Sequence, residues 1–276
     1  MTQLRAAGCV FAEDEARLLL EAAGSAGALA DLVERRVAGE PLEQVLGWAE
    51  FCGLRITVQP GVFVPRRRTE LLVLQALSVL RRGNRPETGS AHASPRVVVD
   101  LCCGSAAVGA AILAGAPAVE LHAADVDPAA VLCARRNVPE GSVHQGDLYD
   151  ALPASLEGHV DILVVNAPYV PTDEIMLMPP EARLHEARVA LDGGPDGVDV
   201  QRRVVAGAAR WLVPRGHLLV ETSARQVPRT VAAFADHGFA TRVARSPDLG
   251  GTVVIGTAPT DARRQQGRAP AGGPPP

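Results

Sequence analysis

The sequence contains no lysine and few aromatic residues, and these shortages limit the functions it can have. All 27 basic residues are arginine, which we interpret as coding bias, and aromatic residues make up 3% of the 276 positions. So few rings cannot form the stacking platforms that bind single-stranded nucleic acids. The formal net charge of −4 also provides no general attraction to phosphate backbones. Composition therefore argues against a general nucleic-acid-binding protein.

Cysteine is scarce and irregularly spaced. The five cysteines form no C-x-x-C pair and have no histidine at metal-ligand spacing. The sequence therefore indicates neither a disulfide framework nor a zinc site. They are Cys9, Cys52, Cys102, Cys103 and Cys133. This pattern predicts a protein of the reducing cytoplasm.

A membrane anchor is also not indicated. Acidic residues precede any long apolar run at the N-terminus, so no secretory signal is predicted. The run from Leu101 to Val119 has no charged residue, but it contains three glycines and Pro117 and begins beside Asp100. A buried strand, turn and helix explain this run better than a membrane span.

The first third of the chain is predicted to carry small elements. Apolar spacing over Glu13 to Val37 predicts two short amphipathic helices, which form a helical cap over residues 1–50. Alternation over Phe51 to Val64 predicts a hairpin that turns at Gln59-Pro60-Gly61, within a linker of residues 51–66; a buried extended loop is the alternative. Thr69 to Leu80 has helical spacing.

The rest of the chain alternates Val-rich and Ile-rich runs with helical stretches, which predicts an α/β doubly wound domain over residues 67–258. The runs are Val97–Leu101, Val119–Ala124, Val143–Gln145, Asp161–Val165, His217–Glu221, Ala240–Arg245 and Thr252–Gly256. A short SPDLGG connection precedes the last run, so the seventh strand should be antiparallel to the sixth. Gly83 to Pro95 is a predicted surface linker, and residues 259–276 a disordered tail.

The first candidate site is the turn after the Val97–Leu101 strand. Small residues follow Asp100 there, and an apolar helix begins near Ala106. Such a turn lets backbone N–H groups approach a nucleotide-like ligand. Of the three glycines usual in such turns only Gly104 is present, so this signal alone is weak.

Acids end the next two strands. Asp125 lies about 25 residues after Asp100, where an acid in a doubly wound fold can accept hydrogen bonds from ribose hydroxyls. The alternative is that Asp125 caps the next helix, but we assign that role to Asp127. After the third strand, Asp147 could accept the adenine amino group and Leu148 could cover the ring. A solvated turn explains Asp147 and Leu148 about equally well.

The strongest signal follows the Asp161–Val165 strand, where the chain reads Asn166-Ala167-Pro168-Tyr169. It puts an amide, a proline and an aromatic ring at the carboxyl end of a central strand, where ligands bind in such sheets. The segment resembles the Asn-Pro-Pro-Tyr motif of S-adenosylmethionine-dependent methyltransferases that act on planar amino or amide nitrogens.

Within that class the chain is most similar to the release-factor glutamine methyltransferases, and the likeness covers most of its length. The matching stretches are Glu40–Gly47, Phe51–Leu54, Pro60–Val62, Pro65-Arg66, Thr69-Glu70 and Glu186–Gly197. The ends, the Gly83–Pro95 linker and Met176–Leu184 have no clear counterpart.

The resemblance implies both chemistry and ligands. A glutamine amide nitrogen is a poor nucleophile, so both of its N–H groups must be held. By resemblance, the side-chain oxygen of Asn166 accepts one, the carbonyl of Ala167 accepts the other, and Pro168 and Tyr169 complete the site, with no metal required. S-adenosylmethionine is the implied cofactor, and its implied contacts are Asp100, Cys102, Gly104, Asp125, Asp147, Leu148, Asn166 and Arg66. The implied partner is a protein substrate, either a release factor with a Gly-Gly-Gln loop or a related target, with no stable nucleic-acid partner and no membrane.

Three departures from the family pattern keep other functions open. Ala167 replaces a proline, Cys102 and Ala106 replace glycines, and the helical cap is short for a substrate-recognition domain. A nucleic-acid methyltransferase would present the same planar amino group from a flipped adenine or guanine. A non-catalytic paralogue that has lost cofactor affinity is the other alternative.

Overall fold

The computed structural model describes residues 1–82 and 95–260, and the chain begins with four short helices. They are α1 Thr2–Ala6, α2 Ala12–Ala22, α3 Ala26–Val37 and α4 Leu42–Leu46. The two helices predicted between Glu13 and Val37 are α2 and α3. Ser25 begins α3, because its hydroxyl accepts a hydrogen bond from the Ala28 amide at 3.1 Å. Leu4, Leu19 and Val45 form the small core of this unit.

The helical unit is joined to the rest of the protein by buried polar contacts. The Arg36 guanidinium pairs with Glu15 at 2.7 Å and with Glu181 at 2.6 Å. Gln44 donates from its side-chain amide to the carbonyls of Val62 and His185. The contacts with Glu181 and His185 attach the cap to the segment around residues 180–186, and the contact with Val62 attaches it to the linker, whereas Glu15 lies in the cap itself. The role of the cap in substrate recognition stays a prediction.

The predicted hairpin over residues 51–66 is wrong in its position. The hairpin consists of β1 Trp48–Phe51 and β2 Leu54–Thr57, which are antiparallel. Its turn is Cys52-Gly53, with φ of 51° and 73°, the left-handed conformations that a two-residue hairpin turn requires. The Gln59-Pro60-Gly61 segment does turn, since the Val62 amide donates to the Gln59 carbonyl, but it joins no strands.

Seven further strands form one sheet, as predicted. They are β3 Val97–Leu101, β4 Glu120–Asp125, β5 Ser142–Gln145, β6 Val160–Val165, β7 Leu212–Glu221, β8 Ala240–Ser246 and β9 Gly251–Thr257. The order across the sheet is β5-β4-β3-β6-β7-β9-β8. Strands β3 to β7 are parallel, whereas β9 is antiparallel to both β7 and β8. The predicted antiparallel last strand is confirmed, and it inserts between its neighbours.

Helices cover both faces of this sheet. They are α5 Glu70–Arg82, α6 Ala107–Gly115, α7 Pro128–Asn137, α9 Asp199–Trp211 and α10 Val227–Asp236. A further helix, α8 Pro180–His185, contacts the helical unit instead. Because side chains alternate along a strand, Ile162 of β6 packs into one core with Leu72 and Ile112, and Leu163 into the other with Phe234. The doubly wound α/β prediction is confirmed.

The uncharged run after Asp100 is the end of β3, a turn and α6, which agrees with the sequence-based prediction. In the described part of the chain, no helix is both long and apolar enough to span a membrane. Most of the predicted linker at Gly83–Pro95 and of the predicted tail at 259–276 lies outside the described residues, which exclude 83–94 and 261–276.

Candidate active site

A cavity of about 770 Å³ opens at the carboxyl ends of the parallel strands. Strands β4 and β5 are added on one side of β3, and β6 and β7 on the other side. The connections that leave β3 and β6 therefore run in opposite directions across the sheet, and a crevice opens between them. All eleven residues predicted for the site line this one cavity: Arg66, Asp100, Cys102, Gly104, Asp125, Asp147, Leu148, Asn166, Ala167, Pro168 and Tyr169. The fold thus brings the predicted residues together, while the role of each stays a prediction.

The turn after β3 has left-handed backbone at three positions in five. Cys102, Gly104 and Ala106 have φ of 56°, 55° and 56°. Only glycine adopts this conformation without steric cost. The two departures from the expected glycines therefore lie where a side chain strains the backbone.

Replacing Cys102 by glycine should stabilise the protein by about 0.5–1 kcal/mol, because relief of left-handed strain exceeds the added entropy of the unfolded chain. The matched control is Cys103→Gly, a neighbour whose φ is not positive and which is almost completely buried. That change should lower the free energy of unfolding. Chemical denaturation of both variants measures the difference, and equal effects would contradict a strained turn.

Two acids at this end of the cavity, the buried Asp100 and the half-buried Asp125, have no arginine partner within residues 1–82 and 95–260. Asp100 accepts a hydrogen bond from the Gly109 amide at 2.9 Å, and burial raises the pKa of its carboxyl to about 8. Asp125 accepts from the amides of Gly104 and Asp127 at 2.8 and 2.9 Å, and burial raises its pKa as well. Desolvation favours the neutral form of both acids, and a cationic ligand bound beside them would favour their ionised form.

The capping role assigned to Asp127 is confirmed. Its carboxylate accepts from the Ala129 amide at 2.9 Å, and Pro128 occupies the first turn of α7. Asp125 is therefore not the residue that caps this helix. Its carboxylate instead links the turns after β3 and β4.

The Asp147 side chain has a protein partner, which the sequence did not indicate. Arg203 of α9 donates to it at 2.6 Å, and about half of each side chain is exposed. Leu148 follows in a left-handed conformation, with φ of 50°. Both residues line the cavity, so adenine contact and a solvated turn both stay open.

The Asn166–Tyr169 turn leaves β6 in the middle of the sheet. Neither the Asn166 side chain nor the Ala167 carbonyl has a hydrogen-bond partner among the residues that the structure describes. The Tyr169 ring is near the Arg68 guanidinium, 5.7 Å from its centroid, and burial raises the pKa of the phenol. Two polar acceptors are thus available beside an aromatic ring.

The glycine-rich part of the Glu186–Gly197 segment packs against this turn. The Val170 amide donates to the Leu191 carbonyl, and the Gly193 amide donates to the Val170 carbonyl at 2.9 Å. A Cβ atom on Gly193 would lie 2.7–2.8 Å from backbone atoms of Gly197, Pro168 and Tyr169. Close backbone packing therefore explains the glycine at position 193.

Replacing Gly193 by alanine should push this segment away from the turn, lowering turnover at least about tenfold and stability by about 1–3 kcal/mol. Gly27→Ala is the control, since a Cβ there would meet only the Ser25 hydroxyl at 3.9 Å. Steady-state kinetics and thermal unfolding of both variants check the prediction. A Gly193→Ala enzyme with normal turnover would show that the turn tolerates displacement.

Two residues at or beside the cavity, Glu186 and Gln226, had no role in the sequence-based prediction. Glu186 is buried, and its carboxylate accepts from Arg66 at 2.6 Å and from the Val64 amide at 3.1 Å. Gln226 donates its side-chain amide to the Tyr169 carbonyl at 2.8 Å. Glu186 lay within a matching stretch, whereas Gln226 is remote in sequence from every motif. Only tertiary contact identifies Gln226.

The cavity is more acidic than basic. Eight carboxylate side chains line it against four guanidinium groups. The acids are Glu43, Asp100, Asp125, Asp127, Asp147, Glu181, Glu186 and Asp192, and the arginines are Arg66, Arg68, Arg188 and Arg203. Such a lining disfavours a substrate with a phosphate backbone.

Known proteins resemble this chain in both sequence and fold. Residues 89–237 match the family model of the methyltransferase small domain. A release factor glutamine methyltransferase of Mycolicibacterium smegmatis is 39% identical over 238 residues, which is 84% of this chain and 79% of the relative. The chain belongs to the release factor glutamine methyltransferase family.

One relative of this methyltransferase is named for a different substrate. A 4-amino-L-phenylalanine/4-methylamino-L-phenylalanine methyltransferase of Streptomyces pristinaespiralis is 35% identical over 208 residues, covering 75% of this chain and 69% of the relative. Among solved structures, a methyltransferase of Pyrococcus furiosus matches with a TM-score of 0.54 at 15% identity, over 83% of this chain and 99% of that one. The structural match agrees with the methyltransferase fold.

Proposed function

We propose that this enzyme transfers a methyl group from S-adenosylmethionine to the side-chain amide nitrogen of a glutamine in a peptide-chain release factor. The observation that carries the proposal is the pair of acceptors at the end of β6, the Asn166 side chain and the Ala167 carbonyl. They lie in the same cavity as Asp100 and Asp125, the acids at the carboxyl ends of β3 and β4. The family relationship supplies the substrate class.

The residues at the β3 and β4 end fit the cofactor. S-adenosylmethionine carries a sulfonium and an ammonium group, and its ribose hydroxyls donate hydrogen bonds. Asp100 and Asp125 offer carboxylates without an arginine partner, and cationic ligands lower the cost of their ionisation. When bound, the cofactor supplies an electrophilic methyl group. We assign the ribose to Asp125 and the adenine side to Asp147 and Leu148.

The turn after β6 orients the acceptor amide. The lone pair of an amide nitrogen is delocalised into its carbonyl, so the nitrogen reacts only when it is held in line with the methyl carbon. Asn166 Oδ1 and the Ala167 carbonyl oxygen accept its two N–H groups, and the Tyr169 ring packs against the amide plane. The N–H protons become acidic as the nitrogen is alkylated, so no strong base is required.

Two observations bear on the alternatives. The acidic lining disfavours a flipped base that remains attached to a phosphate backbone. The relative named for 4-amino-L-phenylalanine favours a small aryl amine as the second candidate substrate, because its amino group is also planar. We further propose the cytoplasm as the compartment, where translation terminates and where the five free thiols are stable.

Transfer of radiolabelled methyl groups tests these substrates side by side. We expect label in a purified release factor and none in the same protein with the glutamine of its Gly-Gly-Gln loop changed to alanine. An adenine-containing oligonucleotide and 4-amino-L-phenylalanine form the other two arms. Label in either of these, with none in the release factor, would overturn the proposal, and cofactor binding without label in any arm would favour the non-catalytic alternative.

Restoring proline at position 167 should keep or modestly raise the methylation rate. Proline fixes φ near −65° and preserves the carbonyl that accepts the amide proton. Ala167 is buried, with 1% exposure, so the change also tests whether the turn has room for the ring. Steady-state rates on the release factor measure the effect. A sharp drop, with folding and cofactor affinity unchanged, would contradict this acceptor geometry.

A further inference from the structure

We propose that Gln226 is a positioning residue for methyl transfer, because its side-chain amide fixes the turn that carries Asn166 and Ala167. The proposal rests on the proposed function for its reaction, and on the geometry around Gln226 for its mechanism. Gln226 immediately precedes α10 and is 3% exposed. It contacts neither the cavity nor the motif side chains, so its action is indirect.

The Gln226 amide joins two backbone segments. Its Nε2 donates to the carbonyl of Tyr169 at 2.8 Å, and it lies 3.2 and 3.3 Å from the carbonyls of Gly197 and Asp196. The orientation of the amide is set from the other side, where the Ser223 hydroxyl donates to Gln226 Oε1 at 2.6 Å. One buried amide thus connects the turn after β6 with the glycine-rich segment.

This part of the backbone depends on such a donor. Strand β6 ends at Val165, so the Tyr169 carbonyl lies outside the sheet. A buried carbonyl without a donor loses the equivalent of a hydrogen bond to water. Gly197 also packs tightly against these groups, because a Cβ atom on it would lie 2.3 Å from Gln226 Nε2 and 2.5 Å from the Tyr169 carbonyl oxygen.

The departure at position 167 increases the importance of this contact. A proline there would restrict φ within the turn, whereas Ala167 leaves it free. The turn is therefore held from outside, by the amide of Gln226 and by the bonds between Val170 and the 191–193 segment. Loss of the Gln226 donor should let the Ala167 carbonyl and Asn166 depart from the orientation that the amide substrate needs.

The test replaces Gln226 by methionine, which has a similar length and no N–H donor. We expect kcat on the release factor to fall about tenfold or more while the cofactor Kd stays within about twofold. Without substrate, hydrogen exchange at the Val170 and Gly193 amides should accelerate about tenfold relative to amides in the middle of β6. In the double variant with Ala167→Pro, part of the lost kcat should return.

The matched control is Gln201→Met in α9. Gln201 is also fully buried, and it accepts from the Thr230 hydroxyl at 2.8 Å and donates to the Glu221 carbonyl at 3.4 Å. This variant should lose stability but keep kcat within about twofold, because the Gln226 side-chain amide keeps its bond to the Tyr169 carbonyl. Its link to Gln226 is the Thr230 hydroxyl, which also donates to the Gln226 backbone carbonyl at 3.2 Å.

Two results would overturn the proposal. One is a wild-type kcat and unchanged exchange in the Gln226 variant, and the other is an equal loss of kcat in the Gln201 variant. Failure of the proposed function would look different, since the wild-type enzyme itself would then methylate no release factor. The exchange measurement needs no substrate and would still decide whether Gln226 holds the turn.

Discussion

Replacing Asn166 by alanine is expected to lower the turnover number about 10²–10³-fold, because one of two positioned acceptors for the target amide is lost. Cofactor affinity should fall much less, since Asn166 is one of eight implied cofactor contacts and the groups assigned to the nucleotide lie at the ends of β3 and β4 and after β5. Single-turnover methylation of the release factor and calorimetric titration with the cofactor measure the two quantities separately.

The Asn166→Asp variant is the control for this result. It keeps an oxygen acceptor at the same position, so its loss of turnover should be smaller than that of the alanine variant, although it adds a charge to the cavity that Asp100 and Asp125 also line. If Asn166→Ala turned over at the wild-type rate, the assignment of the acceptor site to the end of β6 would be wrong.

Replacing Asp125 by alanine is expected to weaken cofactor binding while changing turnover much less. Loss of charge-assisted hydrogen bonds to the ribose should weaken cofactor binding by about 1.5–3 kcal/mol, roughly 10- to 150-fold in Kd. The carboxylate also accepts from the Gly104 and Asp127 amides, so part of the loss will reflect a displaced turn after β3. Turnover at saturating cofactor should change much less.

Asp127→Ala provides the matched control for Asp125. It removes the cap of α7, which should cost about 0.5–2 kcal/mol of stability, but it leaves the Asp125 carboxylate in the cavity. Its cofactor Kd should therefore stay near the wild-type value. An unchanged cofactor Kd in Asp125→Ala would instead show that this carboxylate serves only to bind the Gly104 and Asp127 amides.

The sheet was predictable from sequence because buried parallel strands are short apolar runs with helical stretches between them. Val97–Leu101 was predicted to the residue, and five of the other six runs differ from their strands by one residue at one or both ends. Strand β7 begins at Leu212, five residues before the predicted His217. The hairpin was misplaced because Pro60-Gly61 is a stronger turn signal than Cys52-Gly53. A cysteine rarely adopts a positive φ, so the true turn carries little sequence signal.

Much of the site was also predictable, since the carboxyl ends of parallel strands meet at one edge of the sheet. By that rule the sequence predicts that Asp125, Asp147 and Asn166 lie at one edge, and the resemblance to the family adds Asp100. Resemblance to a known motif added Ala167 and Tyr169. The pairing of Asp147 with Arg203, 56 residues away, had no sequence signal because it depends on how α9 packs.

The sequence by itself determined the elements of this protein and the residue types at the ends of its strands, because both are written in local patterns of hydrophobicity and turn chemistry. Only the tertiary structure decided how the turn after β6 is held. The glycines near position 193 and the amide of Gln226 act through backbone contacts between segments far apart in the chain. Such contacts depend on distances below 3 Å that no residue pattern encodes.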